Sequence, residues 1–523
     1  MFLTKMKIMK KSKSMKIVQF ILIGFLLFSL FSCESTETPE PTDTTEPVVI
    51  EPVIEPVIEE EKPVEKEEIV EEPIEEVVVE DIFTLQGFFE KLSETLNTGT
   101  VEEALALYEE VPAEYEENFD LLYVKAALYV SSQDYENAKL IANRLKELDP
   151  ENTEVLMLLA TIAKASGSKT EKTAILKEIL AQDPTHSGAN TELGHEQMLR
   201  GNFKLANRYY LTALAGDASN LDALAGYGQS SYYEGEITQA KETFLKMLAI
   251  DETNAFAWAY LGKLEAEKPN YRQALEYAEK AITYEPEYYD YWLDYGTYLH
   301  NCNRSEEALD AWTKAIELRP DYFLAYVYRG GLYDELNRVE EAFADYKMVN
   351  QLYPEYYFAY ESLGILAWGA GDYAASREGF AKAYEIYPAS TSYPLMIAVS
   401  YYMEAYEKAG TPEEATLKKA GKDYLSKVAL KNLNRTSTEY AIARLFYDNV
   451  SPGTVVQKVE NEANANNRGK FLFYLGLYYQ IRGNDNLAQK YYITVQEMQT
   501  PMFFEYRLND WAIEKYEAAG ITF

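Results

Sequence analysis

A period of 34 residues constrains this chain more than any other feature. Small residues recur at Ala126, Ala160, Gly194, Gly228, Gly262, Gly296, Gly330 and Gly364. A second small residue follows twelve positions later, at Ala138, Ala206, Ala240, Ala274, Ala308, Ala342 and Ser376, with Lys172 as the exception. Proline follows after twelve more, at Pro150, Pro184, Pro286, Pro320, Pro354 and Pro388. Two short amphipathic helices per unit satisfy this spacing. The small residues stand where the helices cross closely, and large ones fill the space beside them, as in "AWAYLG" (257–262) and "DYWLDYG" (290–296). Proline cannot continue a helix interior and so marks the turn into the next unit. One such unit cannot bury its apolar face alone, so neighbours must stack.

The period and its pattern resemble the tetratricopeptide repeat. The resemblance implies an all-α fold, a superhelical solenoid of helix–turn–helix repeats. Eight consecutive units are expected over 119–390, after an atypical helical repeat at 82–118 in which Ala104 is in phase with Ala138. Residues 391–468 read as irregular helical hairpins. The motif returns at 469–502 with Gly476 and Ala488 in place, and an amphipathic helix in 503–523 caps the stack. Tyr288, Tyr322 and Tyr356 recur just after the proline turn, which is the pattern of packing between repeats.

The N-terminal region has a different character. Six lysines precede an apolar run from Ile17 to Ser32 that ends at Cys33. Sixteen residues are short for a membrane span, which takes about 20, and the layout is that of an export signal. Met15 alone could start it. Leu30-Phe31-Ser32-Cys33 resembles the lipobox of bacterial lipoproteins, which implies removal of residues 1–32 and a diacylglycerol on Cys33. Loss of six lysines and no acid would move the net charge from −36 to −42. Residues 33–81 then form an acidic, disordered tether rich in Pro, Glu and Val: 34–81 hold 19 acids, two lysines and seven prolines. Like charges and prolines keep such a segment extended. Once Cys33 is acylated, Cys302 has no internal partner for a disulfide and reads as a small packed residue.

So acidic a chain has no basic surface for nucleic acid. No Gly-rich phosphate loop, CxxC pair or G-x-S-x-G elbow occurs, and "HEQML" (195–199) has Leu199 where a zinc-protease helix needs its second histidine. His186, His195 and His300 lie in different repeats. No catalytic residue, metal site or cofactor is expected, and the chain reads as a non-enzyme.

The family resemblance places ligands in the groove made by the first helix of each repeat. Its groove positions fall here on Asp120, Tyr123, Glu154, Asp222, Tyr232, Tyr233, Phe256, Lys263, Glu267, Asp290, Leu293, His300, Asp334, Glu335, Phe358, Glu361 and Trp368. The subgroup that captures C-terminal carboxylates places Lys, Asn and Arg there. This chain has Asp120, Tyr123 and Val124 in one repeat and Asp290, Leu293 and Asp294 in another, so that clamp is absent. An acidic groove with rings suits a basic or proline-containing peptide or an amphipathic helix, unless it is a solvated face without a ligand. The expected function is a non-catalytic, lipid-anchored scaffold of the bacterial cell envelope, its body on the periplasmic or extracellular side. "FYLGLYYQIRGNDNLAQKYYITV" with "FFEYRLNDWA" is similar to the end of short repeat lipoproteins that bring envelope proteases to cell-wall hydrolases. The alternatives are a ligand-binding accessory subunit of a transporter and a surface-exposed adhesin.

Overall fold

The computed structural model describes residues 83–448, 450–499 and 501–520. Cys33, the export signal and the acidic tether lie outside these residues. Among the described residues there are helices and turns and no strands. The chain divides into two units at Ile250 and Asp251.

The first unit begins with α1 (Leu85–Thr98) and α2 (Val101–Ala106), joined through a capping box at Thr100 and Glu103. Helical hairpins follow in regular order: α3 (Phe119–Ser131) with α4 (Tyr135–Leu148), and α5 (Thr153–Ala165) with α6 (Lys169–Gln182). Next come α7 (Ser187–Leu199) with α8 (Phe203–Gly216), and α9 (Leu221–Tyr233) with α10 (Ile237–Ile250).

The second unit continues the same alternation. It opens with α11 (Ala255–Ala266) and α12 (Tyr271–Tyr284), then α13 (Tyr289–Asn301) and α14 (Ser305–Leu318). After these come α15 (Phe323–Glu335) with α16 (Val339–Leu352), and α17 (Tyr357–Gly369) with α18 (Tyr373–Ile386). The regular spacing then ends. Helices α19 (Ser392–Glu407) and α20 (Pro412–Tyr424) lead into a π-helical turn at Leu425–Ala429 and the short α21 (Leu430–Asn432). α22 (Thr438–Asp448) and α23 (Pro452–Glu460) precede a further hairpin, α24 (Ala465–Gln480) with α25 (Asp485–Gln496). α26 (Glu505–Ala518) is the last helix.

Three local rules generate the hairpins. The first is capping. Asn118, Asn152, Asn220 and Asn254 each accept a backbone N–H of the helix that follows, supplying a partner that the first turn lacks. In the second unit Tyr288, Tyr322 and Tyr356 take the same place without a side-chain cap. Their rings pack locally instead: Tyr288 lies 4.6 Å from Tyr291, and Tyr322 lies 5.0 Å from Tyr289 of the preceding repeat.

The second rule is a left-handed residue between the two helices of a repeat. It recurs every 34 positions, at Gln133, Gly167, Gly201, Gly235, Asn303, Asn337 and Gly371, with φ between 57° and 79°. Gly and Asn tolerate that region best, and Gln133 is the departure from them. Proline stands at the corresponding position 269, with φ at 30°, where its ring opposes the turn.

The third rule sets four of the crossing glycines against a ring sixteen residues later, while Gly262 has Ala278 there. A Cβ on Gly194 would lie 2.5 Å from Tyr210, and one on Gly228 would lie 2.7 Å from Phe244. One on Gly296 would lie 2.5 Å from Trp312, and one on Gly364 would lie 3.2 Å from Phe380. Where the first position is Ala126 or Ala160, the residue sixteen later is Ala142 or Leu176, which leaves room for the methyl group. Gly476 falls under the same rule: Tyr492 would meet its Cβ, so α24 and α25 pack as another repeat. Lys172, the exception among the small residues, is buried in the first unit with its ammonium 3.2 Å from Glu196 and 3.5 Å from Glu192.

The second unit ends in one large apolar core that runs from Ile365 to Tyr516. α26 belongs to it, so the last helix folds back onto the preceding repeats. The rings of Phe504 and Phe380 stack at 5.5 Å, and Trp511 lies against Gly369.

Candidate functional site

The first helix of each repeat carries the positions from which a groove would be built, and the two units dispose of them differently. In the first unit, Asp120 is half-buried, and burial pushes its carboxyl above the usual range. Tyr123 stacks on Phe119 at 6.4 Å. Glu154 and Asp222 are exposed. Tyr233 is 52 % exposed and stacks on Phe203 at 5.1 Å, with Tyr232 edge-on at 5.5 Å. His195, at the head of "HEQML", lies 5.6 Å from the ring of Tyr210, and burial pushes its imidazole below its ordinary value. His186 caps α7 by accepting the N–H of Ala189 at 3.2 Å.

The second unit holds the densest constellation. Lys263 on α11 reaches between two carboxylates of α13, 2.7 Å from Asp294 and 3.4 Å from Asp290. Asp294 is partly buried, and burial pushes its carboxyl up to about 6, with Lys263 working against the rise. Burial opposes the Lys263 charge, but the two aspartates outweigh it and hold the ammonium above its ordinary range. Phe256 packs on Tyr260 at 4.6 Å beside this cluster, and Leu293 is buried. His300 closes the far end, its Nε2 3.7 Å from Glu335 on α15. Glu267 is exposed at the end of α11. One cation therefore serves two acids, and Asp290 keeps part of its surface open.

Further along the same unit the expected groove is already occupied by the chain itself. Arg507 of α26 binds Asp334 through Nη1 and lies 3.4 Å from its backbone oxygen through Nη2. Lys515 reaches Glu407 at 3.8 Å and the Tyr373 hydroxyl at 3.4 Å. Trp368, read from its position as a groove residue, is 5 % exposed and edge-on to Tyr373 at 5.0 Å, within the core that α26 completes. Asp334 and Trp368 are thus committed to internal packing. Periodicity does not register this, because the covering helix comes from outside the repeats. Phe358, 48 % exposed, and Glu361 lie beyond it in a recess shared with Tyr387 and Phe504.

Sequence reasoning missed a buried ion pair beside these positions. Arg329 forks onto Asp345 at 2.7 and 2.8 Å and donates to the Thr313 hydroxyl at 2.9 Å. No periodic signal marks it, since both residues stand where other repeats carry unrelated types.

Comparison with known proteins agrees with this architecture. Residues 97–162, and residues 261–312 and 302–357, match family models described as tetratricopeptide repeat. A curated relative, the DnaJ homolog subfamily C member 7 homolog of Schizosaccharomyces pombe, is 28 % identical over 116 residues, 20 % of this chain. The match spans 24 % of that relative's length. Among solved structures, PilF of Pseudomonas aeruginosa is similar at 22 % identity and a TM-score of 0.37, over 41 % of this chain and 97 % of that one. The APC/C hetero-tetramer Cut9–Hcn1 is similar at 16 % identity and a TM-score of 0.42, over 60 % of this chain and 62 % of that one.

Proposed function

We propose that this chain, a tetratricopeptide-repeat protein, recruits protein partners through the open acidic face of its second unit, and that a lipid on Cys33 tethers it in a bacterial envelope. Repeats of this kind serve as interaction scaffolds, and the residues of this one supply the particular chemistry. The observation that carries the reading is α26 itself. It is an amphipathic helix that lays Arg507 and Trp511 against Asp334 and Gly369. It is therefore an internal example of what this face accepts. The neighbouring face at Phe256, Lys263, Asp290 and His300 offers the same combination of acid and ring. A partner helix with an Arg or Lys among apolar residues fits it, since one face buries rings while the other meets a carboxylate.

The test is crosslinking of the full chain in envelope fractions, followed by affinity capture and mass spectrometry. The wild type should recover a defined set of proteins that Asp290→Lys loses. Capture of the same set by Asp290→Lys, or of none by the wild type, overturns the reading. Asp334→Lys is not equivalent, because it also removes the partner of Arg507.

A second reading draws on the recess at Glu361: a ligand-binding subunit that hands a small molecule to a transporter. Co-purification of a small molecule in the absence of protein partners would favour it.

A further inference from the structure

We infer that the recess between α17, α24 and the start of α26 is a binding site for an organic cation, an alkylammonium or guanidinium group. It is a separate site from the face at Asp290 and does not need that face to be occupied.

The recess encloses about 290 Å³. Ligand pockets run from roughly 300 Å³ upward, so it suits one long side chain or a small amine better than a nucleotide. Four stretches build it, one of them carrying Tyr387, Ser390, Ser392 and Tyr393. Tyr357, Phe358 and Glu361 come from the first turns of α17, Lys470 from α24, and Phe503, Phe504 and Glu505 from the entry to α26. Rings form much of the wall. Tyr357 stacks on Phe358 at 4.1 Å and on Tyr387 at 4.8 Å, and Phe504 lies 6.3 Å from Tyr393.

The charges inside do not balance. Glu505 is 1 % exposed and is served from within the protein: the Tyr474 hydroxyl donates to it at 3.0 Å, and the Lys470 ammonium offsets its charge. Lys470 also faces Glu439 at 3.9 Å, so its single charge already serves two carboxylates. Glu361 has less. It accepts one hydrogen bond, from the Tyr393 hydroxyl at 2.6 Å, and no ion pair involves it among the described residues. Burial pushes its carboxyl up, and the nearby charge of Glu505 adds to the rise. A largely buried carboxylate without a cation, facing a second carboxylate, is an expensive arrangement unless something positive enters. The walls supply the complementary half, since ring faces attract cations. An anion would meet Glu361 and Glu505 with Lys470 already engaged. A neutral apolar group would leave Glu361 with its hydroxyl alone.

The shared chemistry has two sources, a free amine and the side chain of a peptide, and the experiment separates them. Cadaverine, a blocked pentapeptide with one central lysine, and the same peptide with norleucine are titrated calorimetrically into the full chain. Cadaverine, the lysine peptide or both should bind more tightly than about 1 mM, and the norleucine peptide should not. Binding of cadaverine alone assigns the site to free amines, which supports the transporter reading. Binding of the lysine peptide assigns it to proteins, which supports the scaffold. Glu361→Gln should weaken binding about tenfold or more, as expected for loss of a charge-assisted contact. Phe358→Ala, at a half-exposed ring whose loss spares the core, should weaken it several-fold. Silence of both cations, equal binding of the norleucine peptide, or wild-type affinity in a folded Glu361→Gln overturns the proposal. If Glu361→Gln does not fold, unchanged affinity in Phe358→Ala overturns it. None of these failures touches the capture experiment at Asp290, which stands or falls separately.

Discussion

The guanidinium of Arg507 binds the carboxylate of Asp334 across 173 residues of chain. This contact joins the last helix to the third repeat of the second unit, and both side chains are largely shielded from water. Arg507→Ala should cost about 1–3 kcal/mol, the usual range for a charge-assisted bond that leaves a shielded acid behind. Limited proteolysis should then cut between α25 and α26 faster than in the wild type. The exchanged pair Asp334→Arg with Arg507→Asp should recover part of the loss. Strictly additive single and double variants would show that the two residues do not interact.

Gly296→Ala should destabilise the protein by about 1–3 kcal/mol, because the new methyl group would press on the Trp312 indole. In a Trp312→Leu background the same change should cost less, with a coupling above about 0.5 kcal/mol in denaturant titrations. Gly262→Ala is the mild control, since its Cβ would first meet the Ala274 carbonyl oxygen at 3.3 Å. Equal costs at Gly262 and Gly296 would remove the ring as the cause.

Pro269→Asn should raise stability by about 1 kcal/mol. It puts at the left-handed turn a residue that the turn accepts, as Asn303 and Asn337 show in the next two repeats. A thermal melt measures this directly. A lower Tm would mean that the proline ring, and not the turn, sets the backbone there.

Asp294 should give the stability curve a recognisable pH slope. Its folded pKa is raised to about 6 from 3.8, so the folded chain holds this proton more tightly than the unfolded one. The stabilisation is full below the unfolded value and is lost as pH rises through about 6. Urea titrations between these pH values should show wild-type stability falling relative to Asp294→Asn as pH rises, at up to about 1.4 kcal/mol per pH unit. A constant difference between the two proteins would show that Asp294 titrates as a free aspartate.

Cys33→Ala should move the expressed chain from the detergent phase to the aqueous phase in a cloud-point partition. An unchanged partition would rule out lipid on Cys33 as the anchor.

The helical hairpins were legible because their causes repeat. A small residue at each crossing, a break before each cap and a 34-residue spacing are visible in one sequence. The pairing of Gly194, Gly228, Gly296 and Gly364 with rings sixteen positions on was equally visible, yet it becomes meaningful only once the two helices are known to cross there. The groove was legible in part. Asp290 and His300 could be placed by position within a repeat, but the Lys263 ammonium between Asp290 and Asp294 requires the next repeat in three dimensions. Trp368 and Asp334 are covered by α26, which has no counterpart in the period. Long-range closure is set by where the chain end packs, and no spacing rule encodes that.

The return of α26 also limits how such a chain can grow. Repeat arrays lengthen by duplicating units, and a new hairpin inserted between α18 and α24 would carry α26 away from Asp334, Gly369 and Phe380 together. Duplication is tolerable upstream of these residues, where one repeat meets only its neighbours. The packing of α26 thereby sets the length of the segment from Asp334 onward, while the uniform hairpins before it remain free to vary in number.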